Sequence, residues 1–179
     1  RQRALLALLL LHANGVVPSD RLIEELWGAE GGEGGAKALQ VAVSRLRRAL
    51  EPGLQSASAS RLRTSPPGYE LQVEPGELDL HRFEEEVAAA TKAGTDPASA
   101  LSRLDTALEL WRGPPLADLA YEAFSQSEIA RLEELRAGAL EARLAARLEL
   151  GEGPTLVPEI QDLVREHPLR ERLREELML

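Results

Sequence analysis

AKALQVAVSRLRRALEPGLQSASASRLRTSPPGYELQV, residues 36–73, decides the fold. Placed on a helix at about 100° per residue, Leu39, Val43, Leu46 and Leu50 form one narrow apolar stripe. Lys37, Ser44, Arg45 and Arg48 fall on the opposite side, with Gln40 and Arg47 on the flank. Such a helix buries one face and offers cations and a hydroxyl on the other. Arg and Lys neutralise phosphate, and Arg donates two bonds to guanine, so the exposed face suits DNA. Glu51-Pro52-Gly53 breaks the helix, and Gln55 to Ser60 reads as a low-complexity loop. Arg61 to Thr64 and Tyr69 to Val73 then alternate polar and apolar around Ser65-Pro66-Pro67-Gly68, which predicts a β-hairpin.

Working backwards, Arg1 to Ala13 predicts a leucine-rich helix ended by Asn14-Gly15 as a left-handed cap. Val16-Val17-Pro18 is short and extended. Ser19 is expected to cap a second helix, Asp20 to Trp27, which packs through Leu22, Ile23, Leu26 and Trp27. Gly28 to Gly35 (GAEGGEGG) reads as a flexible acidic loop. It lacks the Gly-Lys-Ser/Thr pattern of a nucleotide-binding loop, and its glutamates oppose an anion. Three helices and then a hairpin is the order of a winged helix, whose third helix enters the major groove. The basic face lies on that third helix, and Arg61 and Arg63 lie on the strand leading into the wing. Two independent features therefore agree on one surface.

Working forwards, Glu74 to Glu77 reads as a linker and the remainder as helical. Asp79 to Ala93 places Phe83, Val87 and Ala90 on one side. Asp96-Pro97 opens the next helix, with Leu101, Leu104, Leu108 and Trp111 buried. Leu116 to Ala120 is a loop or short turn before a long helix from Tyr121 to Leu150. Thr155 to Glu166 and Leu169 to Leu179 form a further pair, split by His167-Pro168. Paired helices of this length predict a tetratricopeptide-like array, without a clean repeat. The fold class is thus mainly α: a winged helix-turn-helix at residues 1–74, three helices plus a β-hairpin, and an all-α helical-repeat domain at residues 75–179.

Charge follows the same division. Residues 1–74 carry nine Lys/Arg against eight Asp/Glu, a net +1; residues 75–179 carry twelve against twenty-two, a net −10. Within residues 36–65 six cations face Glu51 alone. That local cluster attracts DNA despite the acidic remainder, because screening limits the reach of distant charges to roughly 8–10 Å. Hydrophobic residues make up 44% of the 179, aromatics only 3%, so Ala and Leu carry the packing and helices are favoured. Without cysteine, disulfides and thiolate metal sites are excluded. The longest apolar run, Ala4 to Leu11, is far short of a membrane span, so a soluble cytoplasmic protein is expected. The chain opens and closes inside helical patterns, as a fragment of a longer protein would.

RQRALLALLLLHANGVVPSDRLIEELWG, ALQVAVSRLRRALEP and LRTSPPGYEL resemble the OmpR-type winged helix, and more narrowly the Streptomyces antibiotic regulatory protein family of transcriptional activators. The resemblance implies sequence-specific binding of double-stranded DNA at promoter direct repeats, contact with RNA polymerase, and a homodimer on DNA. It places major-groove cations at Arg45, Arg47 and Arg48 and the wing turn at Pro66 to Tyr69. It assigns the loop between the second and third helices, with Glu30 and Glu33, to polymerase. Relatives begin with a small sheet that this chain lacks. Prolines stand where many wings carry an arginine, which leaves Arg61 and Arg63 as the wing contacts; Ala42 stands where relatives often have an aromatic or His. DLHRFEEEV, ALELWRGPPLADL, RLEELRAGALEARL and LVREHPLRERL resemble the bacterial transcriptional activator domain.

No residue pattern supplies catalysis, a cofactor site or a metal site. His12, His81 and His167 are scattered and read as helix-end or packing residues; Ser125 and Ser127 have no local His/Asp pattern. Glu84 to Glu86 and Glu133-Glu134 read as solvated faces, and Trp27 and Trp111 as core anchors. The competing function is a protein-interaction module, in which the acidic helical half binds a basic partner and the winged helix is a non-reading platform. A fragment regulating a nucleotide-hydrolysing enzyme is a third reading, without a nucleotide site in these residues.

Overall fold

The structure is a computed structural model that describes residues 1–32, 34–53, 60–166 and 170. The chain forms two compact units. The first comprises residues 1–78 and 116–127; the second comprises residues 79–115 and the chain from 128 onward.

In the first unit, α1 (Gln2–Leu11) leads through β1 (Val16–Pro18) into α2 (Ser19–Trp27) and α3 (Gly35–Leu50), then into the hairpin β2 (Leu62–Ser65) and β3 (Gly68–Leu71). The short extended run at Val16–Pro18 is a true strand. It pairs antiparallel with β3 in the register Val17 to Tyr69, and β2 pairs on the other side, giving the order β1-β3-β2. Leu5, Leu9, Leu22, Leu26, Leu39, Val43, Leu62 and Val17 close one core between the helices and the sheet. α1 ends at Leu11 with His12 as its cap residue at φ −121, so the expected left-handed cap at Asn14 is not formed; Asn14 takes positive φ in the turn that follows, closed by the Gly15 N–H donating to His12 O, and ties that turn to the end of β3. Its backbone N–H donates to Leu71 O at 2.9 Å, its side-chain amide donates to Val73 O, and its side-chain oxygen accepts from the Val73 N–H.

Four local expectations are corrected. Ser19 is the first residue of α2 and makes no side-chain cap, because its N–H donates to Pro67 O and the strand runs straight into the helix. Gly28–Gly31 forms a 3-10 turn, and α3 begins already at Gly35. A Cβ on Gly31 or Gly35 would sit 2.7 or 2.6 Å from Ile23 Cγ2, so these glycines are there for close packing on α2. Leu50 is 40% exposed, so the buried stripe of α3 ends at Leu46. The loop from Gln55 to Ser60 falls largely outside the described residues.

In the second unit, α4 (Asp79–Ala90) packs on α5 (Pro97–Glu109) through Phe83, Ala90, Leu104 and Ala107, with Ala139 and Ala146 from α6 (Ser125–Glu149). Asp96 caps α5 by accepting the Ser99 N–H at 3.0 Å, with Pro97 as the first helical residue. Leu144 then packs with Leu156, Ile160 and Leu163 of α7 (Gly153–Glu166). Trp111 stacks edge-on against Phe83 with centroids 5.4 Å apart, and the Arg136 guanidinium lies 5.6 Å from its ring centre. The long helix expected from Tyr121 starts only at Ser125, whose buried hydroxyl lies 2.6 Å from Leu119 O and 2.8 Å from Glu122 O and donates its one proton between them. The last expected helix, from Leu169, lies outside the described residues. Helix pairing gives the second unit its expected layout. Among the described residues no helix is long and apolar enough to cross a membrane.

Candidate nucleic-acid interface

The outward face of α3 follows from its inward one. Leu39, Ala42, Val43 and Leu46 are buried against α1, α2 and the sheet. That rotation leaves Lys37, Gln40, Val41, Ser44, Arg45 and Arg48 exposed on a single face. Arg48 folds back, its Nε donating to Ser44 O at 3.4 Å.

Arg47 lies apart from this group. It is half-buried; its Nε donates to Leu62 O at 2.8 Å and its Nη2 donates to Thr64 Oγ1 at 2.9 Å. The guanidinium thus braces the third helix against the first wing strand. Glu51, at the end of α3, adds a second brace. Its carboxylate accepts from the Ser60 hydroxyl and from the Arg61 N–H at 3.1 Å. The Ser60 hydrogen bond first, then the Arg61 N–H, holds the Glu51 carboxyl below the usual carboxylate range.

On the wing, Arg63 and Thr64 of β2 are both exposed, Thr64 on the side that receives Arg47 and Arg63 on the opposite face. Arg61 is exposed but engaged: its guanidinium pairs with Glu77, which also accepts the Glu74 N–H at 2.8 Å. That pairing raises Arg61 above its ordinary pKa and lowers Glu77. The linker after the wing therefore folds back on the strand that leads into it. The wing turn is Pro66-Pro67, and Tyr69 belongs to β3, opposite Thr64. Gly68 is obligatory: a Cβ there would lie 1.8 Å from Val17 O.

The structure thus brings Lys37, Gln40, Ser44, Arg45 and Arg48 onto one surface, puts Arg63 on the wing of the same unit, and ties Arg47 and Arg61 into intramolecular bonds. Glu30 belongs to the 3-10 turn; Glu33 lies outside the described residues. Periodicity could not separate Arg47 from Arg45 and Arg48, because its acceptors lie 15 and 17 residues away. Beside α3 lies a groove of about 360 Å³ with Trp27, Ala38, Val41 and Ala42 along its apolar floor and Arg1, Lys37 and Arg45 at its rim. Trp27, expected as a core anchor, is half-buried: it packs against the core of the first unit and also lines this groove.

Comparison with known proteins covers both units. The family described as "Transcriptional regulatory protein, C terminal" matches residues 1–71, and "Bacterial transcriptional activator domain" matches residues 78–179. Regulatory protein DnrI of Streptomyces peucetius is 37% identical, aligned over all of this chain and 68% of its own length. Regulatory protein AfsR of Streptomyces coelicolor is 39% identical over the whole chain, which spans 18% of that much longer protein. Among solved structures, Mycobacterium tuberculosis EmbR in complex with a low-affinity phosphopeptide matches with a TM-score of 0.89 and 34% identity, over 98% of this chain and 47% of EmbR.

Proposed function

Because this chain belongs to the Streptomyces antibiotic regulatory protein family of transcriptional regulators, an OmpR-type winged helix followed by a bacterial transcriptional activator domain, we propose that it reads promoter direct repeats through α3 and recruits RNA polymerase. The observation that carries this reading is the exposed face of α3, where Lys37, Gln40, Ser44, Arg45 and Arg48 converge on the side opposite the buried stripe. Arg45 and Arg48 supply base and phosphate contacts, Gln40 and Ser44 hydrogen-bond base edges, and Arg63 anchors the wing to backbone phosphate. Arg47 holds the wing at its angle to the reading helix, and Arg61 reaches phosphate only by leaving Glu77. The turn containing Glu30, with Glu33 beyond it, is the surface for polymerase. Two copies occupy the two repeats, and the acidic second unit, residues 79–115 and onward from 128, serves contacts between proteins.

The experiment is a titration of duplexes carrying two direct repeats, against scrambled duplexes, over a salt series. Selective binding with a salt slope equivalent to several phosphates is expected. Arg45→Ala costs about 1–3 kcal/mol on the selected duplex and relaxes sequence preference, while Arg63→Ala weakens all duplexes alike and flattens the slope. Equal affinity for repeat and scrambled DNA in a folded sample would reject the reading and favour the protein-interaction module.

A further inference from the structure

Val41 stands at the centre of the α3 face and is 44% exposed, with Lys37 and Arg45 one turn away on either side and Gln40 and Ser44 beside it. A single exposed apolar side chain is ordinary on a protein surface. Three features make this one different. A β-branched residue is a poor choice for an exposed helix position, where Ala, Glu or Lys stabilises more. Its side chain holds essentially one rotamer in a helix, so its methyl groups are fixed in place before any contact forms. It also borders the apolar floor of the groove formed with Trp27, Ala38 and Ala42, so an apolar strip runs out onto an otherwise hydrophilic reading face.

The major groove presents one apolar group, the C5-methyl of thymine; the other edges are hydrogen-bond donors and acceptors. We infer that Val41 is a specificity-determining residue that packs on the C5-methyl of a thymine. The inference rests on α3 being the DNA-reading helix, as proposed above. Val41 and Arg45 lie four residues apart, about 6 Å along the helix axis. With successive bases about 3.4 Å apart, the thymine falls within one or two steps of the base that Arg45 contacts.

The test starts by enriching random-sequence duplexes on the chain and measuring affinity for the enriched duplex by fluorescence anisotropy. Each thymine is then replaced singly by deoxyuridine, which removes only the methyl group, and every duplex is titrated with the unaltered chain and with Val41→Ala. One position is expected at which deoxyuridine weakens the unaltered chain about fourfold, the equivalent of one buried methyl group. Val41→Ala is expected to bind the parent duplex weaker by a similar factor and to be indifferent to deoxyuridine at that position. An enriched duplex in which no deoxyuridine distinguishes the two proteins overturns the inference, and leaves Val41 facing the sugar-phosphate backbone or a protein. Enrichment of no sequence at all is the separate failure of the DNA reading itself.

Discussion

Arg47 and Arg45 are two residues apart and chemically identical, yet their surroundings divide their roles. Arg45 points to solvent; Arg47 donates to Leu62 O and Thr64 Oγ1. Beside it, Glu51 receives the Ser60 hydroxyl and the Arg61 N–H, so the helix is tied to the wing from two adjacent turns. The Glu51 carboxyl is held below its ordinary value of about 4.5, chiefly by Ser60. A depressed carboxylate contributes stability that is fully present above the unfolded value and is lost as pH falls through the folded one. Thermal melting of the chain is therefore expected to lose stability on acidification below about 4.5, and Glu51→Gln to show a shallower loss over that window. Parallel pH profiles for the two proteins would show that the Glu51 brace contributes nothing.

At the scale of elements, the sheet is the part most sensitive to a single atom. Three short strands have little area to pair, and β3 alone contacts both neighbours. Gly68 lies opposite Pro18 of β1 and opposite Ser65 of β2. An added methyl group meets the Val17 carbonyl at 1.8 Å, a rigid backbone atom rather than a movable side chain. Gly68→Ala is expected to cost about 1–3 kcal/mol, as overpacking does, and to separate β1 from the wing. Denaturant melts read the loss directly, and an unchanged midpoint would mean that the strands shift at no cost. The glycines at 31 and 35 carry the same lesson in milder form, since Ile23 can change rotamer where the Val17 carbonyl cannot. Their spacing in the sequence suggested a flexible loop; the packing of Ile23 makes them the reason α2 and α3 approach closely.

At the scale of the whole molecule, the first unit is discontinuous in sequence. Residues 116–127 return to it: Leu119 and Phe124 join the core that contains α1. Arg1 pairs with Glu122 at 3.1 Å and Arg3 with Asp118 at 3.4 Å, though exposed pairs of this kind contribute little. The stabilisation comes from the apolar pair. Phe124→Ala is expected to destabilise the first unit by about 3–5 kcal/mol and to weaken DNA binding without touching α3. Calorimetry checks this: a first unit that melts unchanged would mean that the segment is dispensable. In the second unit, Arg143 and Arg147 share Glu159, with Asp105 and Glu152 as further partners, which ties α5, α6 and α7 together by charge.

Periodicity by itself determined the helices as far as Glu166, apart from the start of α6, because a buried stripe every three or four residues is a local property of the chain. Residue type determined the hairpin turn and the Asp96 cap, and the placed stripe determined the exposed group Lys37, Gln40, Ser44, Arg45 and Arg48. The resemblance in residues 1–74 and 75–179 identified the family that the comparisons bear out. Only the tertiary structure decided which cations are engaged, that Val16–Pro18 joins the sheet, that Trp27 lines a groove, and that residues 116–127 complete the first core. Apart from the groove, whose α3 residues lie nearer to Trp27, these depend on partners 15 to 121 residues away in sequence, as Arg47 with Leu62 and Arg1 with Glu122 show. A local pattern states which side of an element is apolar; what meets that side is set by the return of distant chain.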